Sequence, residues 1–357
     1  MIVSTTPVVS ILMPCYGVAR YLPDAIRAIQ NQSFTDWELL CIDDASPDDV
    51  ASIVRSASAS DSRIRLVRHD VNQGLSAARN TGLRCARGTY VWFPDPDDMY
   101  EANLLELAVG ALEHDGSDVA VFGCSERFAG MDKAAVEDHD VLPPVSGRLE
   151  GDSLHRAVIA LEEATLYGYA WNKVYRRSCL EGLYFEQTPL IEDIDFNVRV
   201  FNAIRVCSVI GLPLYFYMKR TGSNLTNKFV PEYYGVHRRR IEMLYEQQRD
   251  WGCLDDSVRV RLGCRYVRYI LSSLERNCDT RAGMSHGDRL RWCHSLFVDP
   301  LFCELVPAAG ARGSGTAGLA ARVVSMRSAP LLLVLGRFIH IVRCLFSRGY
   351  TRLKMQR

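Results

Sequence analysis

Tyr90-Val91-Trp92-Phe93-Pro94-Asp95-Pro96-Asp97-Asp98-Met99-Tyr100 is the stretch from which the fold can be read. Its first four residues are β-branched or aromatic and predict a short buried strand; two prolines interrupt it, three carboxylates follow, and a new apolar run at helical spacing begins at Leu104. The carboxylates therefore belong at the carboxyl end of a strand. In open α/β sheets ligands bind outside that end, where loops and helix N-termini converge. Asp95 and Asp97, one residue apart, can face one site and share a hard divalent cation that also bridges a diphosphate. The same residues are also sound turn and N-cap chemistry that needs no metal, so the neighbouring segments must decide.

Upstream, Val8 to Met13 is an apolar run that Pro14 is expected to stop, and Arg20 to Gln30 carries Leu22, Ile26 and Ile29 at helical spacing. Glu38 to Ile42 repeats the strand pattern and ends in Asp43-Asp44-Ala45-Ser46-Pro47-Asp48, with Ser46 placed to cap a helix reaching about Ala59. Ile64 to Val67 reads as a third strand. Asn72-Gln73-Gly74-Leu75-Ser76-Ala77-Ala78-Arg79-Asn80-Thr81-Gly82 opens a third helix whose small residues suit close packing on a sheet. Short alternation of β and α is the mark of an α/β fold with a mostly parallel sheet flanked by helices.

Downstream, Leu104 to Leu112 predicts a helix and Val119 to Phe122 a buried strand, after which the alternation weakens. Ala129 to Gly147 is loop-like, Ser153 to Leu161 helical, Ala170 to Tyr175 strand-like, Ile194 to Phe201 helical behind Glu192-Asp193, and Leu214 to Met218 a late strand. Tyr233 to about Leu274 reads as one or two Arg-rich helices. Pro307 to Gly318 is rich in Ala, Gly and Ser and reads as a linker; its glycines follow no strand and so form no dinucleotide fingerprint. The expected division is residues 1–228 for the α/β domain, 229–306 for a C-terminal helical extension, 307–319 for a flexible linker and 320–357 for a basic amphipathic segment.

A chain of 357 residues with 48% hydrophobic and 24% charged residues can bury a real core. Its net charge of +0 conceals an asymmetry: after Glu304 there is no acid and there are nine Arg or Lys. The body has no nucleic-acid footprint. Twelve cysteines without CxxC or Cys/His spacing argue against structural zinc and fit a reducing compartment, and the N-terminus lacks the basic and apolar regions of a signal peptide, so a cytoplasmic location is expected.

Six separated motifs occur in one order: Ser10-Ile-Leu-Met-Pro-Cys-Tyr16, Asp43-Asp44-Ala-Ser-Pro-Asp48, Asn72-x-Gly-Leu-Ser-Ala-Ala-Arg79-Asn80-x-Gly82, Phe93-Pro-Asp95-Pro-Asp97-Asp98, Trp171-Asn-Lys-Val-Tyr175 and Glu192-Asp193-x-Asp-Phe196. Together they resemble the family-2 glycosyltransferases of the GT-A fold found in bacterial capsule and exopolysaccharide synthesis, over residues 8 to about 226. The resemblance implies an inverting, metal-dependent enzyme that moves a sugar from a nucleotide-diphosphate donor, a UDP-sugar, to a glycan or lipid-linked saccharide acceptor. It implies that Pro14 and Tyr16 flank the base, that Asp44 accepts a hydrogen bond from the base, and that the turn at Asn72 and Gly74 allows close approach. Arg79 would meet base or phosphate, Asp97 would hold Mn²⁺ or Mg²⁺, and Asp95 would bind the ribose or the metal. Lys173, with Trp171 and Asn172, would line the acceptor or diphosphate side.

An inverting transfer is one in-line displacement, so one carboxylate must take the acceptor hydroxyl proton. Asp193 is the expected base and Asp195 its nearest rival, although both also suit the acidic first turn of a helix. Three departures from the family pattern stand out: Gly17 where Asn is usual, Pro96 where a small residue is commoner, and Met218 where Arg often stands, which leaves Arg220 as the candidate phosphate contact. A non-catalytic nucleotide-sugar or glycan-binding protein is the alternative, against which the retained acidic turn and Glu192-Asp193 speak. A sugar-phosphate nucleotidyltransferase would want a Gly-rich basic loop after the first strand, and none is there.

In the tail, Gly336, Arg337, His340, Arg343, Ser347 and Arg348 share one arc of a helix that is otherwise apolar. Such a helix is too charged to span a bilayer and is expected to lie in the interface of the inner membrane face with its Arg heads toward anionic lipid, or to dock on protein.

Overall fold

The computed structural model describes residues 6–129, 138–188, 190–220 and 229–345, without the side chains of residues 128, 129 and 220. The chain divides into two compact units, Met1–Asn227 and Lys228–Arg357. The first unit runs β1 (Val9–Cys15), α1 (Leu22–Gln30), β2 (Trp37–Asp43), α2 (Val50–Ser60), β3 (Ile64–Arg68), α3 (Leu75–Cys85), β4 (Tyr90–Trp92) and β5 (Met99–Tyr100). It continues with α4 (Leu104–Asp115), β6 (Val119–Ala129), β7 (His139–Val141), β8 (Gly147–Glu150), α5 (Gly151–Glu163), β9 (Lys173–Arg176), α6 (Glu192–Ala203) and β10 (Val206–Arg220).

One mixed sheet carries this unit in the order β3-β2-β1-β4-β9-β6-β10-β5, with β7 added to β6 and β8 to β10. The pairs β2/β3, β1/β2, β1/β4 and β6/β10 are parallel, whereas β9 and β5 run antiparallel to both or to their one neighbour. β1 and β2 are buried along their whole length, as strands covered on both faces must be. β1, β2 and β4 consequently bring Tyr16, Asp44 and Asp95 to the same edge of the sheet.

Pro14 does not stop the first strand: β1 pairs with β2 through Cys15. Its missing N–H is tolerated because β4 pairs with β1 only from Val9 to Ile11, so no strand flanks Pro14 on that side. Ser46 does not cap the second helix, which starts after Asp49; its backbone N–H donates to Asp43 Oδ1 and its hydroxyl to the Cys15 carbonyl. The stretch expected as loop between Ala129 and Gly147 holds β7, with residues 130–137 outside the described set. The Trp171 motif enters the sheet only at Lys173.

The second unit is helical: α7 (Tyr233–Asp250), α8 (Asp256–Arg276), α9 (His286–Phe297), α10 (Pro300–Arg312), α11 (Gly315–Ser325) and α12 (Ala329–Leu345). Residues 307–319, expected as a flexible linker, are instead mostly the end of α10 and the start of α11. Their small side chains serve close packing. A Cβ at Gly263 of α8 would lie 2.3 Å from the Leu305 carbonyl, and Ala309 and Ala321 are fully buried.

The polar arc of α12 faces protein, the second of the two arrangements expected for it, and not lipid. A Cβ at Gly336 would lie 2.9 Å from the Leu274 carbonyl of α8, and His340 and Arg343 both reach the buried carboxylate of Glu275. Ser347 and Arg348 lie outside the described residues. Among the described residues no helix is long and apolar enough to cross a membrane.

Candidate active site

The acidic turn between β4 and β5 is held from beneath by tyrosines. The Asp95 N–H donates to the Tyr215 hydroxyl at 3.1 Å, and that hydroxyl donates to Asp98 Oδ2 at 2.8 Å. Tyr100 donates to the Asp95 carbonyl, and the Met218 N–H donates to Asp98 Oδ1 at 2.8 Å. Asp98 is thus a buried anchor that fixes the turn, while Asp95 and Asp97 stay partly exposed at its tip. Burial, reinforced by the neighbouring charges of Asp95 and Asp97, pushes the Asp98 carboxyl well up. Burial pushes Asp95 up as well, opposed by Arg79 and aided by Asp97 and Asp193.

Arg79 of α3 joins this turn to α6. Its guanidinium is 2% exposed; Nη1 donates to Asp193 Oδ1 and Nη2 approaches Asp95 Oδ1 at 3.4 Å, while Nε has no hydrogen-bond partner among the described residues. The segment facing α3 is tied down at three points. The Ser76 hydroxyl donates to the Glu186 carbonyl, Asn80 Nδ2 donates to the Phe185 carbonyl, and the Phe185 N–H returns a bond to Asn80 Oδ1 at 2.7 Å. Phe185 then stacks on Phe196 and meets Phe93 edge-on, an apolar floor under the ion pairs.

Asp193, in the first turn of α6, accepts a second hydrogen bond at Oδ2 from the Ala170 N–H at 3.0 Å. Lys173 fixes the loop that carries this amide. Its ammonium is fully buried and donates to the carbonyls of Leu166 and Tyr169 and to Asn172 Oδ1, and burial pushes it down to about 7. Asn172 Nδ2 donates to the carbonyls of Phe122 and Leu166, and Asn197 Nδ2 to those of Gly168 and Tyr169. Trp171 stacks with Tyr169, Tyr215 and Tyr217, at ring distances of 4.8, 4.3 and 5.8 Å. Tyr169 is 40% exposed.

A third cluster lies at the ends of β1 and β2. Asp44 is 3% exposed and accepts three bonds: from His69 Nδ1 at 2.7 Å and the Gln73 N–H at 2.8 Å on Oδ1, and from the Gly74 N–H at 2.7 Å on Oδ2. Gly74 can present that amide because its φ of +90° is open to glycine at little cost. Asn72 Nδ2 approaches the Asp44 carbonyl, and Tyr16 stands half-exposed past the end of β1.

The model of a family described as "Glycosyl transferase family 2" matches residues 10–183, a segment that contains all three acidic or turn elements up to the Trp171 motif. Over this segment the chain is similar to glycosyl transferase family 2. An uncharacterised glycosyltransferase of Bacillus subtilis (strain 168), EpsJ, is 29% identical over 223 residues, 61% of this chain and 62% of EpsJ. The Escherichia coli protein named UDP-Glc:alpha-D-GlcNAc-diphosphoundecaprenol beta-1,3-glucosyltransferase WfgD is 38% identical over 104 residues, 29% of this chain and 40% of its own length. The chain thus spans less than two thirds of the length of these relatives. Among solved structures, S. aureus TarS 1–349 in complex with UDP-GlcNAc matches with a TM-score of 0.60 at 18% identity, over 92% of this chain and 90% of the 1–349 chain. That likeness is one of fold, and the fold is the expected GT-A type with C-terminal helices.

Several residues stand elsewhere than the sequence suggests. Lys173 and Asn172 are sealed inside and cannot line an acceptor or diphosphate surface. Arg79 is an internal bridge between two carboxylates. Asp44 already spends its carboxylate on the 73–74 turn and His69. Asp195 pairs at 2.6 Å with Arg199, one helical turn on, and so points away from Asp193. Arg220 ends β10, and its side chain lies outside the described residues. Tyr215, His69, Ser76 and Asn80 also shape the site, and none of them stands out in the sequence as a site residue. Ser76 and Asn80 fall inside a quoted motif, one helical turn apart, but Tyr215 and His69 carry no local signal.

Proposed function

We propose that this chain is an inverting glycosyltransferase that moves a sugar from a nucleotide-diphosphate donor, a UDP-sugar, to a saccharide or lipid-linked saccharide in surface polysaccharide synthesis. Its place of work in this reading is the cytoplasm, peripheral on the inner face of the cell membrane. The observation that carries the proposal is the meeting of the Asp95-Asp97 turn with Asp193 through Arg79, although Arg79 and Asp193 are 114 residues apart in sequence. The printed name of WfgD, with UDP-Glc as donor and a lipid-linked saccharide as acceptor, supports the donor and acceptor classes.

Asp97, assisted by Asp95, would hold Mn²⁺ or Mg²⁺. The donor set fits: hard carboxylate oxygens crowd one turn, and Asp95 and Asp98 are pushed up by burial and by neighbouring negative charge, a repulsion that a divalent cation offsets. When bound, such a cation neutralises charge on a departing diphosphate. Pro14 and Tyr16, with the turn at Asn72 and Gly74, would form the nucleoside side. Asp44 contributes there by shaping that turn, since three of its acceptor positions are taken within the protein.

Asp193 is the proposed base. The acceptor oxygen bonds to the anomeric carbon as the bond to the diphosphate breaks, and the acceptor proton passes to the carboxylate. Arg79 and the Ala170 N–H orient it for that task, and Lys173 acts as a positioning residue by fixing the loop that holds Ala170. The exposed ring of Tyr169 offers a stacking face to a sugar beside Asp193.

Asp193→Asn keeps size and one of the two accepted hydrogen bonds, while its amide NH2 faces the other donor. It should leave UDP affinity, read by calorimetry, nearly unchanged while transfer falls by on the order of 10² to 10⁴. Asp195→Asn should cost much less, since its carboxylate is turned to Arg199. Parental transfer by Asp193→Asn would remove it as the base; UDP binding by the parent without transfer to or hydrolysis of any donor tried would favour a binding protein.

A further inference from the structure

The apolar side of α12 faces outward. Leu331, Val334, Phe338, Ile341 and Leu345 are 38%, 68%, 63%, 46% and 72% exposed. At 100° per residue these five fall within about 80° of arc, a continuous stripe along the helix. The opposite side is fixed: Gly336 meets the backbone of α8 at Leu274, and Glu275, itself 5% exposed, holds both His340 and Arg343. The helix therefore cannot turn its basic arc outward without stranding a buried carboxylate, which is costly. Its attachment to the second unit presents the apolar stripe to the surroundings.

We propose that this stripe seats on an anionic bilayer surface. Charge complementarity selects that occupant. After Glu304 the sequence has nine Arg or Lys and no acid; Arg312 and Arg343 are paired with Asp256 and Glu275, whereas Arg337 is exposed at the margin of the stripe. An apolar stripe with basic flanks lies in the headgroup region with its hydrophobic side chains inserted and its cations near lipid phosphates. The sequence pattern alone suggested Arg heads reaching lipid from the arc of His340 and Arg343. The structure assigns insertion to the other side, with Arg343 neutralised internally. This rests on the reading of a peripheral enzyme but not on its chemistry, because UDP binding reports on the first unit and vesicle binding on the second.

The test uses the full chain and vesicles of phosphatidylcholine alone or with about 30% phosphatidylglycerol, in the range where a basic amphipathic surface responds to lipid charge. Co-sedimentation is expected with the anionic vesicles, weakening as salt is raised to about 0.5 M, where the Debye length is a few ångströms. The triple variant Val334→Ser/Phe338→Ser/Ile341→Ser alters only exposed positions, and should lose at least tenfold in vesicle partition with UDP affinity unchanged. Glu275→Gln, by loosening α12, is expected to alter thermal stability more than vesicle binding. No binding of the parent to anionic vesicles, or equal binding by the triple variant, overturns the proposal. So does a parent that is dimeric in sedimentation and becomes monomeric in the triple variant without any difference on vesicles, since a second copy would then own the stripe.

Discussion

Replacing Arg79 by methionine tests whether the site is organised by a buried cation. The guanidinium is 2% exposed and faces Asp193, 17% exposed, and Asp95, 27% exposed. Removing one partner of a buried ion pair costs about 3–5 kcal/mol, chiefly because the remaining charge is stranded. Both carboxylates here keep some water, and the Asp95 contact is long at 3.4 Å, so the low end, about 3 kcal/mol, applies. For a unit of this size each kcal/mol lowers the midpoint by about 2–4 °C, which predicts a fall of about 6–12 °C in calorimetric unfolding of the first unit. Arg79→Lys keeps the charge but not the fork that reaches two carboxylates, and should lose about half as much. The double variant Arg79→Met/Asp193→Asn separates charge from packing: with the stranded carboxylate gone, it should recover part of the loss, giving non-additive energies. An Arg79→Met protein within about 1 kcal/mol of the parent, or strict additivity in the double variant, would refute the argument.

Asp97→Ala should abolish the Mn²⁺-dependent part of UDP binding while the unfolding midpoint barely changes, because Asp98 and Tyr215 hold the turn without it; calorimetric UDP titration with and without Mn²⁺ checks this. Lys173 makes a pH prediction. Burial pushes its ammonium down to about 7, whereas a lysine in the unfolded chain titrates near 10.4, so between these values the unfolded chain keeps a proton that the folded one has released. The stability contribution of this residue therefore rises with pH across that window. In urea titrations the stability of the parent minus that of Lys173→Met should grow from about pH 7 to about pH 10, and a constant difference would contradict the burial argument.

Sequence by itself determined the element types and their order from Val8 to Phe122, apart from the short β5, because strand and helix periodicities are local and strongly patterned there. It also located the acidic segments at strand ends, since Tyr90 to Phe93 and Glu38 to Ile42 are unmistakable buried strands and the acids directly follow them. What each charged side chain touches was decided only by tertiary structure. Arg79 and Lys173 look like ligand-seeking cations in sequence, yet each is enclosed by acceptors contributed by loops elsewhere in the chain. Asp43, Asp44 and Asp98 look like free carboxylates, yet backbone amides and a tyrosine claim them. The Ala/Gly composition of residues 307–319 cannot say whether small side chains mean flexibility or close helix contact until Gly263 is placed against Leu305. For α12 the hydrophobic arc was legible, but its direction was not: amphipathicity fixes which residues share a face, and only the position of Glu275 on a neighbouring helix determines which face turns inward.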